Sequence, residues 1–159
     1  MLIKGSITAL VTPMNEKGDL DYDSLEKLIN YQIDSGISGL VAVGTTGESA
    51  TIDFKDHIKL IEFFVKVNKG RVHIIAGTGA NSTEEALHLT KEAKSAGADA
   101  ALLVSPYYNK PPQEGIYYHH MKIADEVDIP QILYNVPSRT ASFIEPETCL
   151  LYTSDAADE

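Results

Sequence analysis

Residues 72–105 read VHIIAGTGANSTEEALHLTKEAKSAGADAALLVS and contain one complete strand–helix–strand unit. Both ends of this stretch are runs of continuous apolar residues, which is typical of strands that are buried on both faces. In the middle, Ser82 followed by Glu85 forms a capping box that starts a helix, and Gly97 supplies the left-handed residue that ends it. The stretch therefore predicts a right-handed βαβ unit with parallel strands.

The same unit recurs along the chain. Apolar, β-branched runs begin near Ile7, Gly39, Val72, Ala100 and Gln131, at intervals of 32, 33, 28 and 31 residues. Amphipathic helical patterns lie between these runs, and Gly36 and Gly70 are placed to close two of the helices. Both a doubly wound open sheet and a (β/α)8 barrel show this alternation, although a whole barrel has about 250 residues. The repeat alone leaves both architectures open.

The composition excludes several classes of function. The net charge of −10 argues against non-specific binding of nucleic acid, which needs a basic surface. No apolar run approaches the roughly 18 residues that span a membrane, and the N-terminus lacks a secretory leader pattern, so we expect a cytoplasmic protein. The five histidines lack the spacing of metal ligands, and nothing in the sequence calls for a metal or another cofactor.

Polar or glycine-rich segments follow each of the five apolar runs. They are Thr12-Pro13, GTTGES (44–49), GTGAN (77–81), SPYYNKPPQEG (105–115) and YNVPSRT (134–140). In parallel α/β proteins, the carboxyl ends of the strands are where ligands bind. We therefore expect the functional side chains to lie in these five segments.

Individual residues in these segments suit the binding of carboxylates. GTTGES could be an ordinary turn, but its backbone N–H groups and hydroxyls suit a small carboxylate, and it lacks the lysine of a nucleotide-binding P-loop. Arg139 is either a surface charge or a carboxylate clamp, whereas Arg71 opens a strand at the opposite end and is interpreted as structural. Tyr134, at the end of an apolar run, suits either core packing or proton transfer.

Four segments together resemble the pyruvate-dependent class I aldolases. They are GTTGES, AGTGAN, SPYYN with the following Pro and QEG, and LYNVPSRT, in this order and spacing. The double threonine and the SRT after YNVP are similar to the dihydrodipicolinate synthase family within that superfamily. The resemblance covers roughly residues 1–148 and implies an α/β fold, a (β/α)8 TIM barrel that is truncated after about five βα units.

The resemblance also implies a reaction of lysine and diaminopimelate biosynthesis, catalysed by a lyase. Pyruvate forms a Schiff base with a barrel lysine, becomes an enamine, and condenses with aspartate 4-semialdehyde to give 4-hydroxy-tetrahydrodipicolinate. By motif match, Thr46 and Gly47 bind the carboxylate of pyruvate. Arg139 holds the carboxylate of the semialdehyde.

Further roles come from the same motif match. Tyr134 is the proton donor and acceptor at the imine, and Thr45 and Tyr108 complete its relay. Tyr108 would come from a neighbouring subunit of a homodimer or homotetramer. The family's feedback site for lysine maps onto Ala50, His57, Asn81, Glu85 and Tyr107. Phe54 stands where some lysine-sensitive members have histidine, which argues against feedback inhibition here.

The end of the chain departs from the family pattern. The imine-forming lysine belongs on the sixth strand, whereas residues 149–159 read CLLYTSDAADE and are interpreted as a non-native tail after a barrel part of residues 1–148. Lys110 is the one lysine near the end of a predicted strand, and it lies in a proline-flanked loop. We therefore expect this chain to be inactive by itself and, because a part-barrel has raw sheet edges, to fold poorly.

Two alternative functions remain. One is another pyruvate-dependent aldolase, of the N-acetylneuraminate lyase or 2-keto-3-deoxy-sugar acid aldolase type. Arg139 and the Thr45–Thr46 pair favour the synthase family over these enzymes. The other is a non-enzymatic half-barrel that associates with a partner half or with itself. In the enzymatic interpretations the expected partners are small molecules, with no nucleic acid and no membrane.

Overall fold

The computed structural model describes residues 3–155 as a parallel sheet with helices packed against it. The strands are β1 Ile7–Ala9, β2 Gly39–Ala42, β3 His73–Gly77, β4 Ala100–Val104 and β5 Gln131–Tyr134. The helices are α1 Tyr22–Asp34, α2 Phe54–Asn68, α3 Thr83–Ala96, α4 Gln113–Glu126, α5 Pro137–Thr140 and α6 Pro146–Asp155. All five predicted strands are confirmed, with β3 beginning at His73 rather than at Val72.

The order of the strands decides between the two architectures. Each strand pairs in parallel with its neighbour in sequence, in the order β1-β2-β3-β4-β5. A doubly wound sheet would reverse this order at a switch point. Successive right-handed crossovers instead put consecutive helices side by side, and α1 contacts α2, α2 contacts α3, and α3 contacts α4. The sheet is therefore part of a barrel wall, and the predicted (β/α)8 class is confirmed.

The ends of the helices follow from the local sequence. The Oγ of Ser82 accepts a hydrogen bond from the backbone N–H of Glu85 at 3.4 Å, as expected from the capping-box pattern. Gly97 ends α3 with a φ of 96°, as predicted. At the end of α2 the left-handed cap is Lys69, with a φ of 52°, and Gly70 follows it. Gly70 has a φ of 73°, so the predicted left-handed glycine after this helix is confirmed, with the left-handed backbone already beginning at Lys69.

The hydrophobic core lies between the sheet and the helices. One cluster, which includes Leu40 and Phe64, is formed by residues of β2, β3, α1 and α2, together with Leu10 after β1 and Ala93 of α3. A second cluster, which includes Leu103 and Ile123, lies under α3 and α4. On β5 all four residues are only half-buried, and β1 and β5 are the edges of the sheet within the described residues. Helix packing on one face thus holds the strand ends in place while the opposite face is more open.

Helix α6 crosses the boundary that the sequence placed after residue 148. Tyr152 is buried, and its hydroxyl donates to Oε1 of Gln131 on β5 at 2.8 Å. Residues 156–159 of the predicted tail lie outside the described residues. The interpretation of residues 149–159 as non-native, and the expectation of poor folding, stay predictions.

Arg71 has the structural role that the sequence indicated. Its Nη2 donates to Oδ1 of Asn30 at 2.6 Å and to the carbonyl of Val67 at 2.9 Å, and its Nε donates to the carbonyl of Asn68 at 3.0 Å. These bonds tie the start of β3 to α1 and α2, at the end of the sheet opposite the candidate site. Arg139 is the other arginine, and it lies at the carboxyl ends of the strands.

Candidate active site

A cavity of about 250 Å³ lies beyond the carboxyl ends of β2, β4 and β5. The residues that line it are Thr45, Glu48, Ser49, Ala50, Thr51, Val104, Tyr107, Val136, Arg139 and Thr140. The guanidinium of Arg139 is exposed and the carboxylate of Glu48 lines the same space, so the cavity carries one fixed positive and one fixed negative charge. Such a site can orient a small acid through Arg139.

A second, smaller cavity of about 20 Å³ adjoins the first one. Its lining is Val43, Gly44, Thr45, Ser49, Gly77, Gly79, Leu102, Val104 and Tyr134. Thr45, Ser49 and Val104 line both cavities. Thr45 therefore lines both the cavity of Tyr134 and the cavity of Arg139, although it precedes these two residues by 89 and 94 positions in the sequence.

The GTTGES segment forms two short 3-10 turns, Thr45–Gly47 and Ser49–Thr51. The Oγ1 of Thr12 donates to the carbonyl of Gly47 at 2.7 Å, which fixes the first turn against the end of β1. A Cβ on Gly47 would lie 3.1 Å from the Leu10 carbonyl and 3.1 Å from Thr12 Oγ1. Thr46 is exposed and Gly47 is buried, and neither lines either cavity, so their predicted binding of the pyruvate carboxylate stays a prediction.

The backbone just before GTTGES is strained. Val43, which is buried, has a φ of 53°, a region that a β-branched residue rarely adopts. A Cβ on Gly77 would lie 2.3 Å from the carbonyl oxygen of Val43, so only glycine leaves room for this turn. The sequence analysis missed Val43, although the glycine at the end of β3 was a signal that another backbone segment approaches closely.

Tyr108 stands apart from the other predicted residues. Its side chain is 88% exposed and lines neither cavity. Its φ is 75°, and its backbone N–H donates to the carbonyl of Thr140 at 3.2 Å. Within this chain the relay of Thr45, Tyr134 and Tyr108 is therefore not assembled, which leaves the predicted contribution of Tyr108 to another subunit untested.

The five residues predicted to form a lysine site lie close together. Nε2 of His57 is 2.7 Å from the carbonyl of Gly77, and Nδ2 of Asn81 donates to the carbonyl of Tyr107 at 3.1 Å. Burial lowers the pKa of His57, and the Gly77 carbonyl and then the Glu85 carboxylate oppose this effect. Burial, and next Glu85, raise the pKa of Tyr107. Ala50 and Tyr107 also line the larger cavity.

Neither cavity is lined by a lysine of the described residues. Lys110 lies in the exposed loop after β4 with a φ of 46°. In residues 3–155, no three or more His, Cys, Asp or Glu side chains form a group that could hold a metal ion. No helix of that part is both long and apolar enough to cross a membrane.

Comparison with known proteins identifies the family of this chain. The sequence model of the Dihydrodipicolinate synthetase family matches residues 2–153. The chain belongs to this family. A 4-hydroxy-tetrahydrodipicolinate synthase of Pseudomonas putida (strain W619) is 60% identical over 149 residues, which are 94% of this chain and 51% of that protein. The chain thus spans about half the length of the curated relatives it matches.

Solved structures of family members share the fold of the chain. A chloride-inhibited dihydrodipicolinate synthase from Acinetobacter baumannii, solved with pyruvate, is 53% identical with a TM-score of 0.93. The match covers 95% of this chain and 52% of that one. A member from Cyanidioschyzon merolae with lysine bound is 39% identical with a TM-score of 0.94, covering 99% of this chain and 54% of that one.

Proposed function

We propose that this chain supplies the substrate-orienting groups for the condensation of pyruvate with aspartate 4-semialdehyde to 4-hydroxy-tetrahydrodipicolinate. The observation that carries the proposal is the position of Thr45, which lines both the cavity of Tyr134 and the cavity of Arg139. The proposed proton-transfer group and the proposed carboxylate clamp thus line adjoining cavities that share Thr45. The relatives' names, and the pyruvate in the Acinetobacter baumannii structure, support this choice of substrates.

The proposed roles divide between the two ends of the site. Tyr134 exchanges the proton at the imine, and Thr45, together with Tyr108 of a neighbouring subunit in a homodimer or homotetramer, relays it. Thr46 and Gly47 bind the carboxylate of pyruvate. Arg139 pairs with the carboxylate of the semialdehyde, which a planar guanidinium can hold through two hydrogen bonds.

The Schiff base requires a lysine amine, and the described cavities contain none. We therefore propose that the 159 residues by themselves form no imine with pyruvate. Incubation with pyruvate and borohydride, followed by intact-mass measurement, is expected to add no mass. One covalently bound pyruvate per chain would contradict this proposal and would direct attention to Lys110.

A chimera tests the reaction itself. Residues 1–148 of this chain are joined to the C-terminal half of the Pseudomonas putida relative, and this protein is called the chimera below. It is expected to consume pyruvate and aspartate semialdehyde. Turnover of N-acetylneuraminate or of 2-keto-3-deoxy-sugar acids instead would favour the other aldolases. A folded chimera without any of these activities would favour the non-enzymatic half-barrel.

The two arginines provide a matched pair for this assay. In the chimera, Arg139→Ala is expected to raise the KM for the semialdehyde by about 10- to 100-fold, because charged hydrogen bonds contribute about 1.5–3 kcal/mol. The KM for pyruvate should change far less. Arg71→Ala should lower the melting temperature without altering the ratio of the two KM values, and equal effects of both variants would remove the proposed role of Arg139.

Feedback by lysine is the last part of the proposal. The proposed site consists of Ala50, His57, Asn81, Glu85 and Tyr107, and the ring of Phe54 packs edge-on against His88 beside it, with centroids 4.9 Å apart. We expect the chimera to respond weakly to lysine and Phe54→His to increase its inhibition. Unchanged inhibition in Phe54→His would show that this position does not set the sensitivity.

A further inference from the structure

Buried hydroxyls join two of the loops that surround the larger cavity. One loop follows β4 and carries Tyr107 and Tyr108, and the other comprises α5 and the next two residues and carries Arg139. Adjacent strands do not by themselves fix how their loops lie beyond the sheet. In this protein the hydroxyls of Ser105 and Ser142 bond across the two loops, and the hydroxyl of Thr140 bonds within the second loop; we call these three side chains the hydroxyl clasp.

Some hydrogen bonds of the clasp cross between the two loops, and others lie within the loop of Arg139. Ser142 Oγ donates to the carbonyl of Pro106 at 2.7 Å and lies 3.2 Å from Ser105 Oγ. Thr140 Oγ1 is 2.8 Å from the carbonyl of Ser142 and accepts from its backbone N–H at 3.3 Å. The Thr140 carbonyl accepts from the backbone N–H of Tyr108 at 3.2 Å. The loop of Arg139 is therefore bonded to the loop of Tyr108 at several points.

The three side chains of the clasp are buried, and buried hydroxyls need hydrogen-bond partners. Ser105, Thr140 and Ser142 are 0%, 2% and 8% exposed. Burying a hydroxyl is costly unless it finds a hydrogen-bond partner, so an apolar side chain would fill the same space more favourably if packing were its only role. The hydroxyls instead make bonds whose effect is to fix the position of one loop on the other.

Two strained residues border the clasp. Ala141 lies between Thr140 and Ser142 with a φ of 54°, and Tyr108 has a φ of 75°. Non-glycine residues hold such conformations only when their surroundings over-determine them. The bonds of Thr140 and Ser142 provide that constraint on both sides.

We propose that Thr140 and Ser142 are positioning residues that hold the Arg139 guanidinium at the cavity and tie its orientation to the loop of Tyr108. The inference rests on the proposed function in so far as Arg139 binds a substrate carboxylate. Thr140 directly follows Arg139 and lines the same cavity, so losing the bonds of its hydroxyl to the carbonyls of Val136 and Ser142 is expected to shift the loop that carries Arg139. The clasp acts on a carboxylate-bearing substrate through Arg139 and does not touch the reacting atoms.

The test compares Thr140→Val, which has nearly the same shape, with Thr140→Ser, which keeps the hydroxyl. Thr90→Val is the matched control, because Thr90 is also buried, donates to the carbonyl four residues before it at 2.7 Å and lies 2.9 Å from a second hydroxyl, that of Thr78. In the 159-residue chain, amide exchange at Tyr108 and the binding of succinate, a probe for the carboxylate clamp, are measured by NMR.

Thr140→Val is expected to speed exchange at Tyr108 and to weaken succinate binding, each by about tenfold, which corresponds to the loss of one buried hydrogen bond. Thr140→Ser should behave like the wild type, and Thr90→Val should change neither quantity even where it lowers the melting temperature. The clasp is refuted if Thr140→Val keeps wild-type exchange at Tyr108, or if Thr90→Val has the same effect.

A failure of the proposed function gives a different pattern. If the wild type does not bind succinate, the role of Arg139 is wrong, while the exchange rates still decide whether the clasp couples the loops. If the isolated chain is too weakly folded for these spectra, the same three variants are compared in the chimera. There the clasp predicts a higher KM for the semialdehyde with little change in kcat in Thr140→Val alone, and an unchanged KM overturns it.

Discussion

The two ends of the sheet use left-handed backbone differently. At the end where the strands begin, the positive φ values are those of Gly5, Gly36, Gly70 and Gly97, with Lys69 as the exception. At the end where the strands finish, they belong to residues with side chains, with Gly18 in the loop after β1 as the exception. These are Val43, Glu48, Tyr108, Lys110 and Ala141. Glycines at this second end, Gly77 and Gly79, serve instead to let another backbone segment come close.

This difference distinguishes the turns that only connect helices to strands from the turns that surround the two cavities. A left-handed conformation costs a residue with a Cβ roughly 1–2 kcal/mol, whereas glycine adopts it readily. The turns that only reverse the chain therefore use glycine. The turns around the two cavities accept strain at Val43 and Tyr108, which is where strained backbone is expected when a site must be held in one geometry.

The largest expected effect comes from crowding the strained end. Gly77→Ala places a Cβ 2.3 Å from the carbonyl of Val43, so the backbone has to move. We expect a loss of about 3 kcal/mol in the free energy of unfolding of the chimera, at the upper end of overpacking effects. Gly70→Ala, with a φ of 73° and open space around it, should cost only about 1 kcal/mol. Equal losses in urea unfolding would erase the contrast between the two ends.

A pair of buried histidines on α4 is a second, side-chain source of instability. His119 and His120 are buried with their rings 4.9 Å apart, and within the described residues Nε2 of His119 and both ring nitrogens of His120 have no hydrogen-bond partner. Burial lowers the pKa of His119 from 6.5 to about 4. Burial, and next His119, lower the pKa of His120 from 6.5 to about 3.

The sign of the pH effect follows from these values. Between pH 6.5 and about 3 the unfolded chain binds protons at both histidines that the folded chain excludes, so this part of the stability falls as the pH falls. His120→Leu is expected to reduce the loss of stability between pH 7 and pH 4 by on the order of 2 kcal/mol, since one pKa unit corresponds to about 1.4 kcal/mol. His88→Leu, at an exposed position, is the control for urea unfolding at both pH values. The loss of stability caused by Gly77→Ala should not depend on pH in this range. A pH-dependent loss in Gly77→Ala would contradict the distinction between backbone strain at Gly77 and histidine titration on α4.

The smallest change in stability is expected when a left-handed residue is replaced by glycine at either end of the sheet. Tyr108→Gly and Lys69→Gly each relieve a left-handed residue and should stabilise the chimera by about 0.5–1 kcal/mol, because the exposed ring of Tyr108 contributes little burial. Only Tyr108→Gly should lower synthase turnover. A loss of turnover in Lys69→Gly, or none in Tyr108→Gly, would break the link between strain and function.

Much of the fold could be predicted because it depends on near neighbours. The continuous apolar runs before residues such as Thr45 and Tyr134 predicted the strands, and Ser82 with Gly97 predicted the limits of α3. The candidate residues could be named from the segments at the strand ends. The strain at Val43, the clasp of Thr140 and Ser142, and the burial of His119 and His120 could not, because each depends on atoms that are distant in sequence.

By itself the sequence determined the alternation of strands and helices, their caps, and the set of polar residues at the carboxyl ends of the strands. Periodicity and capping act within a few residues, so they can be read from a linear string. Only the tertiary structure decided the sequential strand order, which makes the sheet a barrel wall, and the placement of Thr45 in the lining of both the Tyr134 cavity and the Arg139 cavity. Those outcomes depend on which long-range contacts bury the most apolar surface, and no local pattern specifies them.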